Sequence, residues 1–195
     1  MISKAEYKKI SKEWDGKIYQ KYRKLKKRLP IIEKNIGFFK EAKVLELGSN
    51  AGMYAYLIYP VIKSYIGIEG NRSYYRQLVK TLHNCNAKIF NETFENIQLD
   101  KLNYDLFLAS YVLHHLNINE IYKLETVFKR CNKVVIHTRS GDPLLYGHDE
   151  VGTDPLIKWK GSHIKYLLDS LNYNSTLQMA DGYNGNYLIL SERET

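Results

Sequence analysis

The sequence of 195 residues is long enough to bury one substantial core and too short for two comfortable domains. Hydrophobic residues make up 44% of the chain and charged residues 26%, a globular balance that excludes a disordered or fibrous protein. The formal net charge of +8 is concentrated in one segment, because residues 1–34 hold twelve Lys or Arg residues against four acidic residues.

Neither a membrane span nor a secretory signal is expected from the hydropathy pattern. The longest uncharged run, between residues 46 and 63, contains glycines and a proline and is shorter than the ~20 apolar residues that a span needs. The chain begins with polar residues rather than the apolar region of a signal peptide. Cys85 and Cys131 lack the spacing of a zinc site, so neither a disulfide framework nor a metal site is predicted. We therefore predict a cytoplasmic protein.

The basic segment, residues 1–34, has the pattern of an amphipathic helix. Its apolar residues recur at steps of three and four, which predicts one apolar stripe with lysines on the other face. This stripe consists of Tyr7, Ile10, Trp14, Ile18, Tyr22, Leu25 and Leu29. Pro30 interrupts the pattern and predicts a second helix over roughly residues 31–40. We accordingly divide the chain into a basic helical extension packed on the core, residues 1–40, and a main domain, residues 41–195.

From residue 43 onward, short apolar runs alternate with helical patterns, which predicts a parallel sheet covered by helices on both faces. The predicted strands are residues 43–47, 64–69, 87–90, 104–109 and 133–137. The predicted helices are residues 51–59, 72–83, 118–130 and 162–171. Asn71 is expected to cap the second of these helices, and Asn117 with Glu120 to cap the third. A turn-rich link at residues 181–185 predicts a terminal β-hairpin.

The strongest functional signal is the apolar strand and small-residue turn of residues 44–52. Gly48 and Gly52 can adopt backbone conformations that are closed to bulkier residues, and Asn50 tolerates a left-handed conformation. Such a loop binds a nucleotide-like ligand at the carboxyl end of the first strand. Asn50 and Met53 stand where a dinucleotide-binding GxGxxG sequence has glycines, which argues against NAD or FAD.

A carboxylate follows the second predicted strand. Glu69 comes about twenty residues beyond the glycine turn, a position from which a carboxylate can accept hydrogen bonds from both hydroxyls of a ribose. The sequence therefore predicts that Glu69 contacts the sugar of a bound nucleoside.

Three segments occur in the order that a known family shows. Residues 46–52, residues 65–71 and residues 105–116 resemble motif I, motif II and the fourth-strand motif of class I S-adenosylmethionine-dependent methyltransferases, with Asn50 replacing the usual middle glycine. The resemblance implies a Rossmann-like three-layer αβα sandwich, whose seven-stranded, mostly parallel sheet has an antiparallel C-terminal strand. It also implies S-adenosylmethionine as cofactor and S-adenosylhomocysteine as product. The cofactor-binding residues that it implies are Glu46, Gly48, Ser49, Asn50, Gly52, Glu69 and Ser110.

The segment after the third predicted strand, residues 91–97, corresponds to the family's adenine-binding region. Members of the family often carry an acidic residue there, which hydrogen-bonds the adenine amino group. Aligning residues 94–97 with the usual pattern puts Thr93 in the acidic position. Thr93 and Phe94 are therefore the adenine-contacting candidates, and backbone groups are an alternative means of recognition.

Candidate catalytic residues depend on the methyl acceptor. Transfer from a sulfonium needs mainly in-line positioning and removal of water, so a strong base is optional. His114 and His115 are the candidate bases for an acceptor that carries a proton, or they shape the cofactor pocket instead. Tyr54, Tyr56 and Tyr111 either stabilise the sulfonium charge or pack in the core. Further candidates at the end of the fifth strand and in the following loop are His137, Arg139, Asp142, Tyr146, His148, Asp149 and Glu150.

Three functions are compatible with these features. The favoured one is methyl transfer to a small-molecule or sugar-like acceptor, and the second is methylation of RNA held by the basic segment. The third is a non-catalytic nucleic-acid-binding relative that retains the fold. The basic segment is interpreted either as solvated surface or as an arm for an anionic partner, which includes an anionic membrane surface.

Overall fold

The computed structural model describes residues 32, 34–83, 85–113, 116, 118–139, 161–179 and 186–194. The predicted amphipathic helix before Pro30 lies outside the described residues, as does the predicted capping residue Asn117. The functional candidates outside the described residues are His114, His115, Asp142, Tyr146, His148, Asp149 and Glu150. Within the described part of the chain, no helix is long and apolar enough to cross a membrane.

Seven strands form one sheet in the order β3-β2-β1-β4-β5-β7-β6. Strands β1 to β5 pair in parallel, whereas β7 runs antiparallel to both β5 and β6. The mostly parallel sheet with an antiparallel C-terminal strand is therefore confirmed. The strands are β1 (Lys43–Leu47), β2 (Ser64–Ile68), β3 (Ala87–Phe90), β4 (Leu106–Ser110), β5 (Lys133–Arg139), β6 (Tyr173–Met179) and β7 (Asn186–Arg193).

Four α-helices and three 3₁₀ helices accompany the described strands, and one of the 3₁₀ helices precedes β1. The α-helices are α1 (Met53–Ile58), α2 (Arg72–Thr81), α3 (Ile118–Arg130) and α4 (Gly161–Ser170). The 3₁₀ helices are Ile36–Phe39, Phe94–Asn96 and Leu99–Lys101. The predicted cap of α2 is confirmed, because the Asn71 side chain accepts hydrogen bonds from the backbone N–H groups of Ser73 and Tyr74.

The segment before β1 differs from the helix predicted over residues 31–40. Its last part, Ile36–Phe39, is a 3₁₀ helix rather than a continuing α-helix. Gly37 weakens α-helix formation at this point, and Glu41 takes a left-handed φ of 57° where the chain turns into β1. Phe39 is fully buried, so the short helix anchors the start of the sheet.

Two apolar clusters on opposite faces of the sheet give the three layers. Phe107 of β4 packs against Phe128 of α3, with ring centroids 5.7 Å apart, in a cluster that also includes residues of α4. On the other face, Leu108 belongs to a cluster with Ile58 of α1 and Leu78 of α2. Successive strand residues alternate between the faces, so each central strand is covered on both sides. The predicted αβα sandwich is confirmed.

The strand order reverses direction at β1. The chain moves outward from β1 to β2 and β3 on one side, and then continues through β4 and β5 on the other. The loops that follow β1 and β4 therefore leave the sheet toward opposite faces and open a crevice between them. In open α/β sheets, ligands bind in such a crevice at the carboxyl ends of the strands.

Candidate functional site

A cleft of about 530 Å³ opens where β1, β2 and β4 end. This volume falls within the range of roughly 300–1,000 Å³ that is typical of small-molecule sites. Eight of the predicted cofactor-binding residues line it: Glu46, Gly48, Ser49, Asn50, Glu69, Thr93, Phe94 and Ser110. Gly52, the remaining one, is absent from the lining and instead precedes α1 with a left-handed φ of 84°. The site thus brings together residues that are distant in the sequence.

The cleft has an acidic lining. Among the described residues that line it, four are carboxylic acids and none is lysine, arginine or histidine. The four acids are Glu46, Glu69, Glu92 and Glu120. Ligands are favoured where their charge complements that of the site, so this lining suits a neutral or cationic ligand better than a phosphate group.

The loop after β1 has the backbone that its sequence predicts. Gly48 and Asn50 both adopt left-handed conformations, with φ of 67° and 50°. A Cβ atom at position 48 would lie 2.6 Å from Cγ2 of Val112, so a side chain cannot be accommodated without displacing that residue. The N–H groups of Gly48 and Ser49 both donate to the carbonyl oxygen of Ile68, which holds the loop against the end of β2. The loop therefore presents backbone rather than bulky side chains to the cleft.

The Glu69 carboxylate joins two loops. Its Oε2 accepts a hydrogen bond of 2.7 Å from the N–H of Asn50, and its Oε1 accepts one of 2.7 Å from the N–H of Asn71. The Asn91 side-chain amide donates to the carbonyl oxygen of Glu69 and fixes the backbone there. Burial raises the pKa of the Glu69 carboxyl group, and the two backbone hydrogen bonds oppose that shift. Each carboxylate oxygen retains a lone pair that can accept from a ligand hydroxyl.

Glu46 is buried at the floor of the cleft, beside Tyr65 and Ser49. The Tyr65 hydroxyl makes a short hydrogen bond with Oε2 of Glu46 and lies 2.9 Å from Oγ of Ser49. Ser49 Oγ in turn donates to the carbonyl oxygen of Glu46 at 3.2 Å. The Tyr65 hydroxyl donates to the Glu46 carboxyl group, so the three side chains form one buried polar cluster under the cleft.

The electrostatics of this buried cluster favour the neutral acid at Glu46. Burial raises the pKa of Glu46 to about 8, and the nearby charge of Glu69 adds to the shift, although the Tyr65 hydrogen bond opposes it. Burial likewise raises the pKa of Tyr65 well above its ordinary value. Gly67 of β2 lies opposite Glu46 in the strand register, and a Cβ atom there would lie 2.9 Å from both Ser49 Oγ and the Tyr65 ring. The tyrosine reaches the acid because position 67 has no side chain.

The segment that follows β3 forms one end of the cleft. Phe94 is buried, Thr93 is exposed, and Glu120 of α3 lies beside them, where its Oε1 accepts a hydrogen bond of 3.3 Å from the N–H of Glu95. The Lys123 ammonium group donates to three carbonyl oxygens, of Phe94, Glu95 and Ile97, and so fixes the path of this segment. Burial lowers the pKa of Lys123.

Sequence reasoning missed Glu120, Lys123 and Tyr65 as contributors to the site. Glu120 was expected only as a helix-capping residue, and its place in the cleft depends on how α3 packs on the sheet. Lys123 is three residues after Glu120 in α3 and so lies on the same side of that helix. Tyr65 had a usable signal, because a tyrosine in a buried aliphatic strand needs a partner for its hydroxyl.

A histidine between two tyrosines lies at the ends of β4 and β5. Nδ1 of His137 is 2.7 Å from the Tyr54 hydroxyl oxygen, and Nε2 is 3.0 Å from the Tyr111 hydroxyl oxygen. Tyr54 and Tyr111 line the cleft, whereas His137 is fully buried behind them. Tyr56, the third tyrosine candidate, is half-buried and does not line the cleft, and Arg139 ends β5.

The described ranges of the chain contain no candidate metal centre. Among those residues, no group of three or more His, Cys, Asp or Glu side chains is arranged to hold a metal ion. Cys85 and Cys131 are free thiols.

Comparison with solved structures identifies the fold. A methyltransferase from Aquifex aeolicus that depends on S-adenosylmethionine superimposes with a TM-score of 0.64 at 15% identity, over 95% of this chain and 97% of that one. DhpI in complex with S-adenosylhomocysteine gives a TM-score of 0.67 at 11% identity, over 96% and 92% of the two chains. The methyltransferase domain of bacterial CtHen1 gives 0.67 at 14% identity, over 88% and 100%.

The chain has the class I methyltransferase fold. No family model and no curated relative matches the sequence, so the likeness is one of structure. The antiparallel β7 between β5 and β6 separates this fold from the dinucleotide-binding Rossmann sheet, which has six parallel strands in the order 3-2-1-4-5-6.

The buried Glu46 predicts a pH dependence of stability. Its folded pKa of about 8 lies above the ordinary value of 4.5, so the folded state keeps a proton that the unfolded state releases. The stability that this provides is complete below pH 4.5 and is lost as the pH rises toward 8, by up to about 1.4 kcal/mol per pH unit. Glu46→Gln cannot ionise, so its free energy of unfolding should increase relative to the wild type between pH 5 and pH 8.

Urea unfolding at pH 5, 6.5 and 8 measures this difference. Glu125→Gln, which removes an exposed carboxylate of α3, is the control and should leave the pH profile unchanged. A difference between Glu46→Gln and the wild type that is constant across these pH values would show that Glu46 ionises with an ordinary pKa. Glu69 is present in both proteins, so its own titration largely cancels in the comparison.

Proposed function

We propose that the protein is an S-adenosylmethionine-dependent methyltransferase that acts on a small-molecule or sugar-like acceptor. One observation carries the proposal: the Glu69 carboxylate bridges the loops after β1 and β2 in a cleft without basic lining residues in the described part of the chain. A carboxylate held in this way suits a ribose diol, and the acidic lining suits a ligand with positive charge. Bound S-adenosylmethionine would supply a methyl group activated by its sulfonium.

The residues present fit this cofactor at three points. The backbone turn at Gly48 leaves space that a Cβ atom would fill, and the cofactor needs a close approach to that backbone. Glu69 offers two carboxylate oxygens to the ribose. Glu46 contributes a buried acid near which an ammonium or sulfonium group is more favourable than a phosphate.

A dinucleotide cofactor fits less well. Its pyrophosphate group would meet the carboxyl groups of Glu46 and Glu69, and no described lining residue supplies a compensating cation. The antiparallel β7 also argues against a dinucleotide cofactor, since the dinucleotide-binding sheet is parallel throughout.

Glu69→Gln should weaken the binding of S-adenosylhomocysteine by roughly 10- to 100-fold, because hydrogen bonds to a charged group contribute about 1.5–3 kcal/mol. The amide keeps the shape of the side chain but replaces one acceptor oxygen with a donor. Isothermal titration calorimetry with S-adenosylhomocysteine and S-adenosylmethionine measures the effect, with Glu125→Gln as the matched surface control.

Absence of binding to the wild-type protein would contradict the methyltransferase proposal and favour a non-catalytic relative that retains the fold. Binding that Glu69→Gln leaves unchanged would instead contradict the ribose-binding role of Glu69.

Glu120 is a second carboxylate that could recognise adenine. The predicted alignment puts Thr93 at the position of the family's usual acidic residue, while Glu120 lines the cleft together with Thr93 and Phe94. Its Oε1 is held by the N–H of Glu95, and the neighbouring segment is fixed by Lys123. We assign to Glu120 the role of accepting a hydrogen bond from the adenine amino group. Thr93 has no carboxylate with which to make this contact.

S-Inosylhomocysteine tests this assignment, because it carries a carbonyl in place of the adenine amino group. The wild type should bind S-adenosylhomocysteine about tenfold more tightly than the inosine analogue, and Glu120→Ala should reduce this ratio to about two. Glu120→Gln, which retains an acceptor oxygen, should restore part of the ratio. An unchanged ratio in Glu120→Ala would contradict this role of Glu120 and leave Glu92 or backbone groups as the means of adenine recognition. A general loss of affinity would weaken the binding of both ligands equally and would leave this ratio unchanged.

In the alternative function, the methyl acceptor is RNA. The positive charge of residues 1–34 favours this acceptor. The described end of the N-terminal extension supports its packing on the core, since Ile32 and Phe39 are fully buried. The described residues that line the cleft, however, include no cationic side chain that could bind the phosphate backbone of an RNA. We therefore favour a neutral small-molecule acceptor.

Transfer of labelled methyl groups from S-adenosylmethionine separates the two acceptors. Incubation with fractionated cell extract should place the label in the small-molecule fraction, and a chain that lacks residues 1–29 should retain this activity. The deletion leaves the buried Ile32 in place. Label in the RNA fraction that is lost with the deletion, and that falls steeply with salt, would establish the RNA alternative instead.

A further inference from the structure

Tyr54, His137 and Tyr111 form a continuous hydrogen-bonded chain of side chains. Tyr54 belongs to α1, His137 lies near the carboxyl end of β5, and Tyr111 follows β4 directly. The two contacts, 2.7 Å at Nδ1 and 3.0 Å at Nε2, use both nitrogens of the imidazole. The chain thus links the lining of the cleft to a fully buried titratable group.

The hydrogens available to these three side chains limit the hydrogen-bond arrangements that they can adopt. A neutral imidazole has one N–H group and one acceptor nitrogen. One tyrosine hydroxyl must therefore accept from the ring, while the other donates to it. If Nδ1–H donates to Tyr54, then Nε2 accepts from Tyr111, and His137 can take up the hydroxyl proton of Tyr111.

The backbone around Tyr111 is held in an unusual conformation. Tyr111 has a φ of 54°, which is rare for a bulky residue and is found where a functional position is imposed by its surroundings. Its N–H donates to the carbonyl oxygen of His137 at 2.8 Å, and the two rings lie 4.6 Å apart. Ser110 pairs with His137 in the β4–β5 register, so both residues are fixed by the sheet. The tyrosine is therefore directed at the histidine by backbone and side chain together.

We propose that Tyr111 accepts the proton of the methyl acceptor and passes its own to His137, which Tyr54 holds in the required orientation. The proposal rests on the proposed methyltransferase function and narrows its substrate class. The acceptor is a neutral O–H or N–H nucleophile, which must lose a proton on methylation, rather than an anion that needs no base. Among these three hydrogen-bonded side chains, Tyr111 is the catalytic residue, and His137 and Tyr54 are positioning residues.

The proton balance follows from the same contacts. Methylation of a neutral O–H or N–H group replaces its hydrogen by the methyl group, and the electron pair of the broken S–CH₃ bond stays on sulfur. The released proton binds to the Tyr111 oxygen as the original Tyr111 hydrogen moves to Nε2 of His137. The positive charge of the sulfonium is thereby replaced by that of an imidazolium, whose Nδ1–H donates to Tyr54. Return of this proton to solvent restores the resting state.

Sinefungin probes the position of the transferred methyl group, because it carries an amine-bearing carbon where S-adenosylmethionine has its methyl-bearing sulfur. Tyr111→Phe should weaken sinefungin binding by about tenfold and change the affinity for S-adenosylhomocysteine by less than about twofold. Tyr122→Phe, at an exposed tyrosine of α3, is the matched control and should change neither affinity. Calorimetric titration measures all of these affinities.

Nitrogen-15 NMR of histidine-labelled protein tests the positioning roles. The His137 signals are assigned by their loss in His137→Gln. In the wild type at neutral pH, Nδ1 should carry the hydrogen and Nε2 should be the acceptor. Tyr54→Phe should shift the ring toward the Nε2–H form, an effect that general loosening of the core would not produce. Tyr122→Phe should leave the tautomer unchanged.

The outcomes separate this proposal from the methyltransferase proposal. Failure of the wild type to bind S-adenosylhomocysteine contradicts the proposed function itself. Normal binding of S-adenosylhomocysteine with no selective loss of sinefungin affinity in Tyr111→Phe overturns the proton-accepting role. An Nε2–H tautomer in the wild type also overturns it, because His137 could not then accept the proton of Tyr111.

Discussion

The hydrogen bonds of the Glu69 carboxylate hold the cleft in one arrangement. Glu69 follows β2, but its two oxygens bind the N–H groups of Asn50, in the loop after β1, and of Asn71, at the start of α2. One side chain therefore sets the separation of two loops that belong to different connections. The same anion stabilises the amino-terminal end of α2, where N–H groups point out of the helix. Loss of the carboxylate would release both loops at once.

The burial of a second acid beside this carboxylate determines the electrostatic character of the site. Glu46 and Glu69 lie near the ends of adjacent parallel strands, and the charge of Glu69 favours the neutral form of Glu46. A ligand with a positive charge is attracted by the Glu69 carboxylate, whereas a phosphate is repelled by it. This charge distribution supports the proposed cofactor over the ligands of the dinucleotide-binding fold, which shares the strand order at the centre of the sheet.

The sequence was sufficient for elements whose signal is local. β1 and β3 and helix α3 have the predicted bounds, because apolar runs and turn residues delimit them, and Asn71 caps α2 as predicted. The roles of Glu120 and of the Tyr54–His137–Tyr111 contacts were not predictable. They depend on the β4–β5 register and on the packing of α1 and α3 against the sheet, which combine residues 25 to 83 positions apart. The 3₁₀ helix at Ile36–Phe39 reflects both the weak helix propensity of Gly37 and the turn into β1 at Glu41.

The two ends of the cleft are built from different kinds of group. Backbone conformation at Gly48 and backbone hydrogen bonds to Glu69 shape the end assigned to the nucleoside, so most side-chain replacements elsewhere leave that end intact. Tyr54 and Tyr111 line another part of the cleft, with His137 buried behind them. If the protein is the proposed methyltransferase, changes at Tyr54 or Tyr111 would alter the acceptor side and leave the Glu69 contacts in place.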